Sequence, residues 1–88
     1  MDNSYSFKLF VFGLNENQQL VDRIDEICKT SLGADNFDCS VIDLKEQPEA
    51  AIEYKILTIP TLILEEPQPV RRFIGDLTDS KLLIDLLH

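Results

Sequence analysis

Two cysteines, one histidine and sixteen carboxylates are the residues of this 88-residue chain with the clearest capacity for chemistry. Cys28 and Cys39 match neither the CxxC spacing of a dithiol redox centre nor the paired spacing of a zinc site. Small thiols of this kind are commonly buried as packing groups, and two reduced structural thiols fit a cytoplasmic protein. His88 stands at the end of the sequence, where a frayed residue is the expected reading rather than a base or ligand. Glu46, Glu49 and Glu53 fall on one helical face, but no histidine or thiol accompanies them, so they read as solvated surface. No Gly-rich phosphate loop is present. The expectation is therefore no catalytic residue, no metal and no cofactor, and a protein that is not an enzyme.

Any such group would have to be positioned by the elements that the hydrophobic pattern marks along the chain. Phe7–Phe12 is nearly all apolar with aromatic and β-branched members, the pattern of a central strand covered on both faces. Leu20, Ile24, Ile27, Cys28 and Leu32 then form one stripe of a helix. Asn15 with Gln18 suits a capping box at its start, and Gly33 suits a left-handed stop at its end. Asp25 and Lys29 are placed for an i,i+4 pair on it. Phe37–Leu44 alternates and then turns apolar on both sides, which reads as a second strand nearer an edge. Pro48 fits the first turn of a short helix over Glu49–Tyr54. Thr61–Leu64 and Val70–Ile74 are two β-type runs joined by a proline-bearing loop, Glu65–Pro69. Gly75-Asp76 is a turn, and Thr78 or Asp79 can cap a last helix carrying Leu82, Leu83, Leu86 and Leu87 on one face.

The order β-α-β-α-β-β-α over residues 1–88 describes a single α/β domain with a four-stranded mixed sheet and helices on both faces. Two strand–helix–strand crossovers imply parallel pairing, and the terminal hairpin adds an antiparallel strand. This is the minimal thioredoxin-like fold. In a thioredoxin the reactive thiolate sits where the first strand feeds the first helix, because the helix dipole lowers its pKa. Here that junction reads Gly13-Leu14-Asn15-Glu16-Asn17, without a cysteine. Ile59-Pro60-Thr61 sits where such folds carry a cis-proline ahead of the third strand. Only about 5–6% of X-Pro bonds are cis, so the expectation of cis at Pro60 rests on its place in the topology.

Charge narrows the partners. Sixteen acidic against eight basic residues give a formal net charge of −8, the wrong sign for a nucleic-acid binder or for an anionic membrane surface. No apolar run approaches the ~18 residues of a membrane span, and Met1–Ser6 lacks a signal peptide's apolar core. Cytoplasmic placement and a neutral or basic protein partner are the expectations. Arg71 and Arg72 fit an edge strand, where charge discourages unwanted pairing.

Several segments together resemble the KaiB family. Val41-Ile42-Asp43 with Gln47-Pro48, Lys55-Ile56-Leu57-Thr58-Ile59-Pro60-Thr61-Leu62, and Pro69 through Asp79 (PVRRFIGDLTD) are similar to the family's VID…NP, KILATPTL and PPPVR(K/R)IIGDLSD. Phe7–Gly13 is similar to its first strand. Departures are Gly13–Gln18 in place of a stretch close to GNTPNS, Glu46 where lysine is usual, and Pro67-Gln68-Pro69 in place of a triple proline. The resemblance implies an adaptor that binds the KaiC ATPase ring, captures KaiA and displaces a clock-output histidine kinase. It also implies fold switching, with Gly75 and Asp76 as candidate switch residues, between a thioredoxin-like monomer and a tetramer with a different C-terminal half. By position, Lys55, Arg71 and Arg72 become partner-binding candidates on the KaiC side, and the edge strand with Phe37 and Val41 becomes the KaiA side. An input domain for a histidine kinase is the alternative, and a redox protein using Cys28 or Cys39 a third. Leucine-rich, β-branch-poor 79–87 argues for a terminal helix, and hence for the thioredoxin-like state.

Overall fold

Tyr5–Val11 forms the first strand, β1, and it lies inside the sheet because five of its seven residues are apolar, only Ser6 and Lys8 being polar. The computed structural model describes residues 5–75 and 77. β1 is followed by a 3₁₀ turn at Asn15–Asn17, helix α1 at Gln18–Leu32, β2 at Phe37–Asp43, helix α2 at Glu49–Glu53, β3 at Thr61–Glu66 and β4 at Arg71–Ile74. The strands order as β2-β1-β3-β4. The terminal helix expected over 79–87, its caps Thr78 and Asp79, and Asp76 lie outside the described residues.

Alternation along β1 divides the core into two. Phe7, Leu9 and Val11 turn to one face with Ile24, Ile27 and Cys28 of α1, joined by Leu62, Leu64, Phe73 and Leu77. Phe10 turns to the other face with Leu44, Ala50 of α2 and Ile63. Its ring lies 5.1 Å from that of Tyr54. A helix therefore covers each face of the sheet, as a strand apolar on both sides requires.

The second connection differs from the sequence expectation. β1 and β2 are parallel, but β3 runs antiparallel to β1, and β4 antiparallel to β3. β2 ends with Asp43 beside Val11, and β3 begins with Thr61 beside Phe10, at the same end of the sheet. A seven-residue strand is about 23 Å long, whereas the five residues of α2 span only about 7.5 Å. That helix is too short to carry the chain back for a parallel return.

Other local expectations shift for identifiable reasons. No capping box forms at Asn15 and Gln18: the 3₁₀ turn intervenes, and the cap residue of α1 is Asn17, which makes no side-chain cap bond. The Asn17 amide instead donates to the carbonyls of Phe12 and Gly13. Gly33 ends α1 at positive φ, though with ψ 141°, outside the left-handed helical well. Pro48 is the cap residue of α2 rather than its first turn, β3 extends through Glu66, and Val70 lies before β4. The Asp25–Lys29 pair forms at 2.9 Å. The Ile59–Pro60 peptide is cis, as are Glu66–Pro67 and Gln68–Pro69.

Candidate functional site

The junction where a thioredoxin would hold its thiolate is built around a carboxylate. Gly13 closes β1 at φ +90°, and a Cβ there would run into the Glu16 side chain. Asp43, the last residue of β2, accepts from the Gly13 N–H at 2.8 Å, the Leu14 N–H at 2.9 Å and the Lys45 N–H at 3.0 Å. These donors, Gly13 foremost, hold the Asp43 carboxyl below the usual carboxylate range. The free N–H groups after β1 are thereby occupied by the chain's own anion. Phe12 and Leu14 are left exposed on either side of Gly13.

The two thiols lie away from this junction, in the core beneath α1. Cys28 is fully buried and Cys39 half-buried against the same cluster. Burial pushes the Cys28 thiol up to about 11, with Asp25 adding to the effect. Burial pushes Cys39 up to about 12, with Cys28, Asp38 and Asp25 adding smaller repulsions. Both are protonated at neutral pH, and a protonated thiol is a poor nucleophile. Glu46, Glu49 and Glu53 are exposed, and among the described residues no group of His, Cys, Asp and Glu has metal-binding geometry. His88 lies outside the described residues.

The candidate binding residues divide between the two edges of the sheet. Consecutive strand residues face opposite ways, so Arg71, opposite Leu64, and Arg72, opposite Ile63, fall on different faces of β4. Only Arg72 joins Lys55. Its guanidinium donates to the Lys55 carbonyl at 3.2 Å and to the Tyr54 carbonyl. Lys55 itself sits at φ 55°, the one non-glycine residue at positive φ among those described. Lys55 and Arg72 line a cavity of about 260 Å³ with Leu57, Thr58, Thr61 and Ile74. Thr61 is buried there, its hydroxyl donating to the Thr58 carbonyl at 2.6 Å.

At the opposite edge, Phe37 and Val41 turn their side chains toward the α1-side core and are half-buried. What β2 offers outward is its backbone edge and the exposed Asp38 and Ser40. Pro60 precedes Thr61 and so lies at the end of the sheet that bears the junction. Gly75 follows β4 at φ +96°, and a Cβ there would meet no atom of the described residues within 4 Å, its chain neighbours aside. The role of Asp43 went unread in the sequence, although an acid closing a strand opposite a glycine turn was a usable signal.

Residues 8–88 match the KaiB domain. The chain belongs to the KaiB family. It is 38% identical over 86 residues to circadian clock protein KaiB3 of a Synechocystis species, covering 96% of this chain and 83% of that protein. It is 41% identical over 85 residues to circadian clock oscillator protein KaiB of a Prochlorococcus marinus strain, covering 94% and 78%. Among solved structures, the N-terminal domain of Synechococcus elongatus SasA superposes with a TM-score of 0.79 at 21% identity, covering 99% of this chain and 82% of that one. Yeast mitochondrial thioredoxin 3 does so with a TM-score of 0.66 at 17% identity, covering 96% and 76%. The described part of this KaiB-family chain thus has the thioredoxin-like fold. No described helix is long and apolar enough to cross a membrane.

Proposed function

We propose that this chain is a non-enzymatic clock adaptor that binds a KaiC-type ATPase ring and modulates its phosphorylation cycle through KaiA. The match to the KaiB domain across residues 8–88 carries this reading. A β1–α1 junction filled by the Asp43 carboxylate, with both thiols high in pKa, supports the absence of thiol chemistry. Lys55 and Arg72 face the ring, with Arg71 on the reverse of the same strand. The open edge of β2, with Phe37 and Val41 behind it, meets KaiA. Gly75 and Asp76 serve as the turn about which the chain converts to a tetrameric second fold, the thioredoxin-like monomer being the binding state in the cytoplasm.

Size-exclusion chromatography with a KaiC ring tests the reading. Co-elution is expected, and separate elution across the ring's phosphorylation states would overturn it. Insulin reduction with dithiothreitol should match the protein-free control. Turnover that disappears in a Cys28→Ser, Cys39→Ser double variant would overturn the non-enzymatic assignment.

One observation favours a second reading, that of an input domain contacting a histidine kinase: the superposition on the SasA N-terminal domain. Co-purification with the transmitter region of a kinase, and none with a KaiC ring, would select it.

A further inference from the structure

Phe12 and Leu14 are large apolar side chains left 54% and 40% exposed on either side of Gly13, and Ile59 is 48% exposed at the same end of the sheet. The β1–β3 pairing ends with Phe10 opposite Thr61, and its register, carried two residues on, sets Phe12 across from Ile59. Single exposed apolar residues are ordinary, but exposed apolar groups gathered together mark a contact surface. The KaiB family's stretch close to GNTPNS and its KILATPTL stretch have asparagine where this chain has Leu14 and threonine where it has Ile59. The apolar character of both positions is this chain's own departure from that pattern.

The backbone beneath the patch is held from two sides. Asp43 accepts from the Gly13 and Leu14 N–H groups at 2.8 and 2.9 Å, and the Asn17 amide donates to the Phe12 and Gly13 carbonyls at 3.1 and 2.7 Å. Side chains on a backbone already fixed lose less freedom when a partner covers them. A carboxylate stands within the patch as well. A Cβ on Gly13 would run into Glu16, so that side chain lies against the residue between Phe12 and Leu14. The Glu16 side chain is 66% exposed, and its contact with Lys45 is a loose 3.9 Å, a surface pair of little strength. Around the cavity of about 300 Å³ that Leu14 lines, Glu16, Asp43 and Glu46 outnumber Lys45.

That charge selects the occupant. A second copy of the chain would set the same acids against one another, and an anionic lipid surface would meet a net charge of −8. A basic side chain is drawn to Glu16, and an arginine there can also lie on the Phe12 ring. We infer that the β1–α1 junction docks a protein segment carrying an arginine beside a large apolar side chain. The guanidinium meets Glu16 and Phe12, and the apolar group covers Leu14 and Ile59. This surface lies outside the residues that the adaptor reading assigns, and goes beyond that reading.

The full chain is titrated with the probe peptide acetyl-Leu-Arg-Leu-Arg-Leu-amide and followed by NMR. Two analogues run beside it, one with glutamate at both arginine positions and one with alanine at each leucine position. Saturable shifts at Phe12, Gly13, Leu14, Glu16 and Ile59 are expected with the arginine–leucine peptide, and none with the glutamate analogue. The alanine analogue should bind at least tenfold more weakly. Phe12→Ala should weaken binding about tenfold, the effect of losing roughly 55 Å² of apolar contact. Glu16→Gln should weaken it severalfold and reduce its dependence on salt. Leu14→Asn combined with Ile59→Thr installs residues the family carries, so it keeps the fold, and it too should weaken binding about tenfold. Equal shifts with the glutamate analogue, shifts centred elsewhere, or none at millimolar peptide would overturn the inference. So would unchanged affinity in the Leu14→Asn, Ile59→Thr variant. Concentration-dependent shifts at the same residues without peptide, with a dimer's mass by sedimentation, would give the patch to a second copy and overturn it as well.

Discussion

Asp43 does at the first junction what a bound anion does at the start of many helices: it satisfies N–H groups that the backbone leaves open. Its folded pKa is lowered, so its contribution is present above the unfolded carboxylate range and is lost as pH falls through the folded value. Asp43→Asn should lower the melting temperature at pH 7 and remove part of the acid limb of the stability curve. A variant with an unchanged melting temperature and acid limb would show that the junction holds without the charge. The thiols carry the opposite sign. Folded values of about 11 and 12 lie above the ordinary thiol value, so stability is complete below about pH 9 and falls as the unfolded thiols ionise first. Cys39→Ala should flatten that alkaline decline relative to the parent, measured by urea unfolding between pH 8 and pH 11, ranges set by the ordinary thiol value. In the native protein both thiols should react with aromatic disulfide reagents far more slowly than in urea. The sequence offered only the missing motifs, whereas the burial against the α1-side core that raises both thiols required the fold.

The elements themselves were mostly visible. β1 is apolar on both faces and lies in the middle of the sheet, α1 shows its stripe, and β2 and β4 lie at the edges. Strand direction was the part that periodicity could not give, because alternation is the same whichever way a strand runs. It depends on which end of the sheet the chain leaves and re-enters, and the five-residue α2 carries that information through its length. The arginine pair shows the converse. Their separation onto two faces follows from strand alternation alone, since the run Val70–Ile74 read from the sequence already held both, yet which of the two faces meets Lys55 required the fold. Packing should follow the two-cluster division. Phe10 is fully buried and anchors the α2-side core. Phe10→Ala should destabilise the protein by about 3–5 kcal/mol, a large share of a small domain's roughly 5–15 kcal/mol. Leu57→Ala, at an exposed position, should change stability by less than ~0.5 kcal/mol. Chemical denaturation of both variants checks the contrast. A cost at Leu57 comparable to that at Phe10 would mean that Leu57 packs against something on folding.

At the scale of the molecule, the two candidate surfaces lie at opposite ends of one sheet, Lys55 and Arg72 by β4 and the open backbone edge at β2. Three strand spacings separate β2 from β4, a distance of about 14 Å. The Debye length at physiological salt is about 8 Å. Charge changes at one edge are therefore screened at the other, and no residue named at either edge is shared between them. On the adaptor reading, a partner at each edge meets its own set of residues. Energetic independence follows, since substitutions more than about 7–10 Å apart with no common partner usually combine additively. Arg72→Glu should weaken the β4-side partner while leaving affinity for the β2-side partner within about twofold, and Ser40→Pro, which disturbs the β2 edge, should do the reverse. The double variant should show the sum of the two free-energy changes within ~0.5 kcal/mol. Calorimetric titration of each variant with each partner measures all four terms. A large non-additive remainder would mean that the edges communicate through the sheet or through a change of fold. Isolated screened surfaces would then no longer describe how this molecule joins its partners.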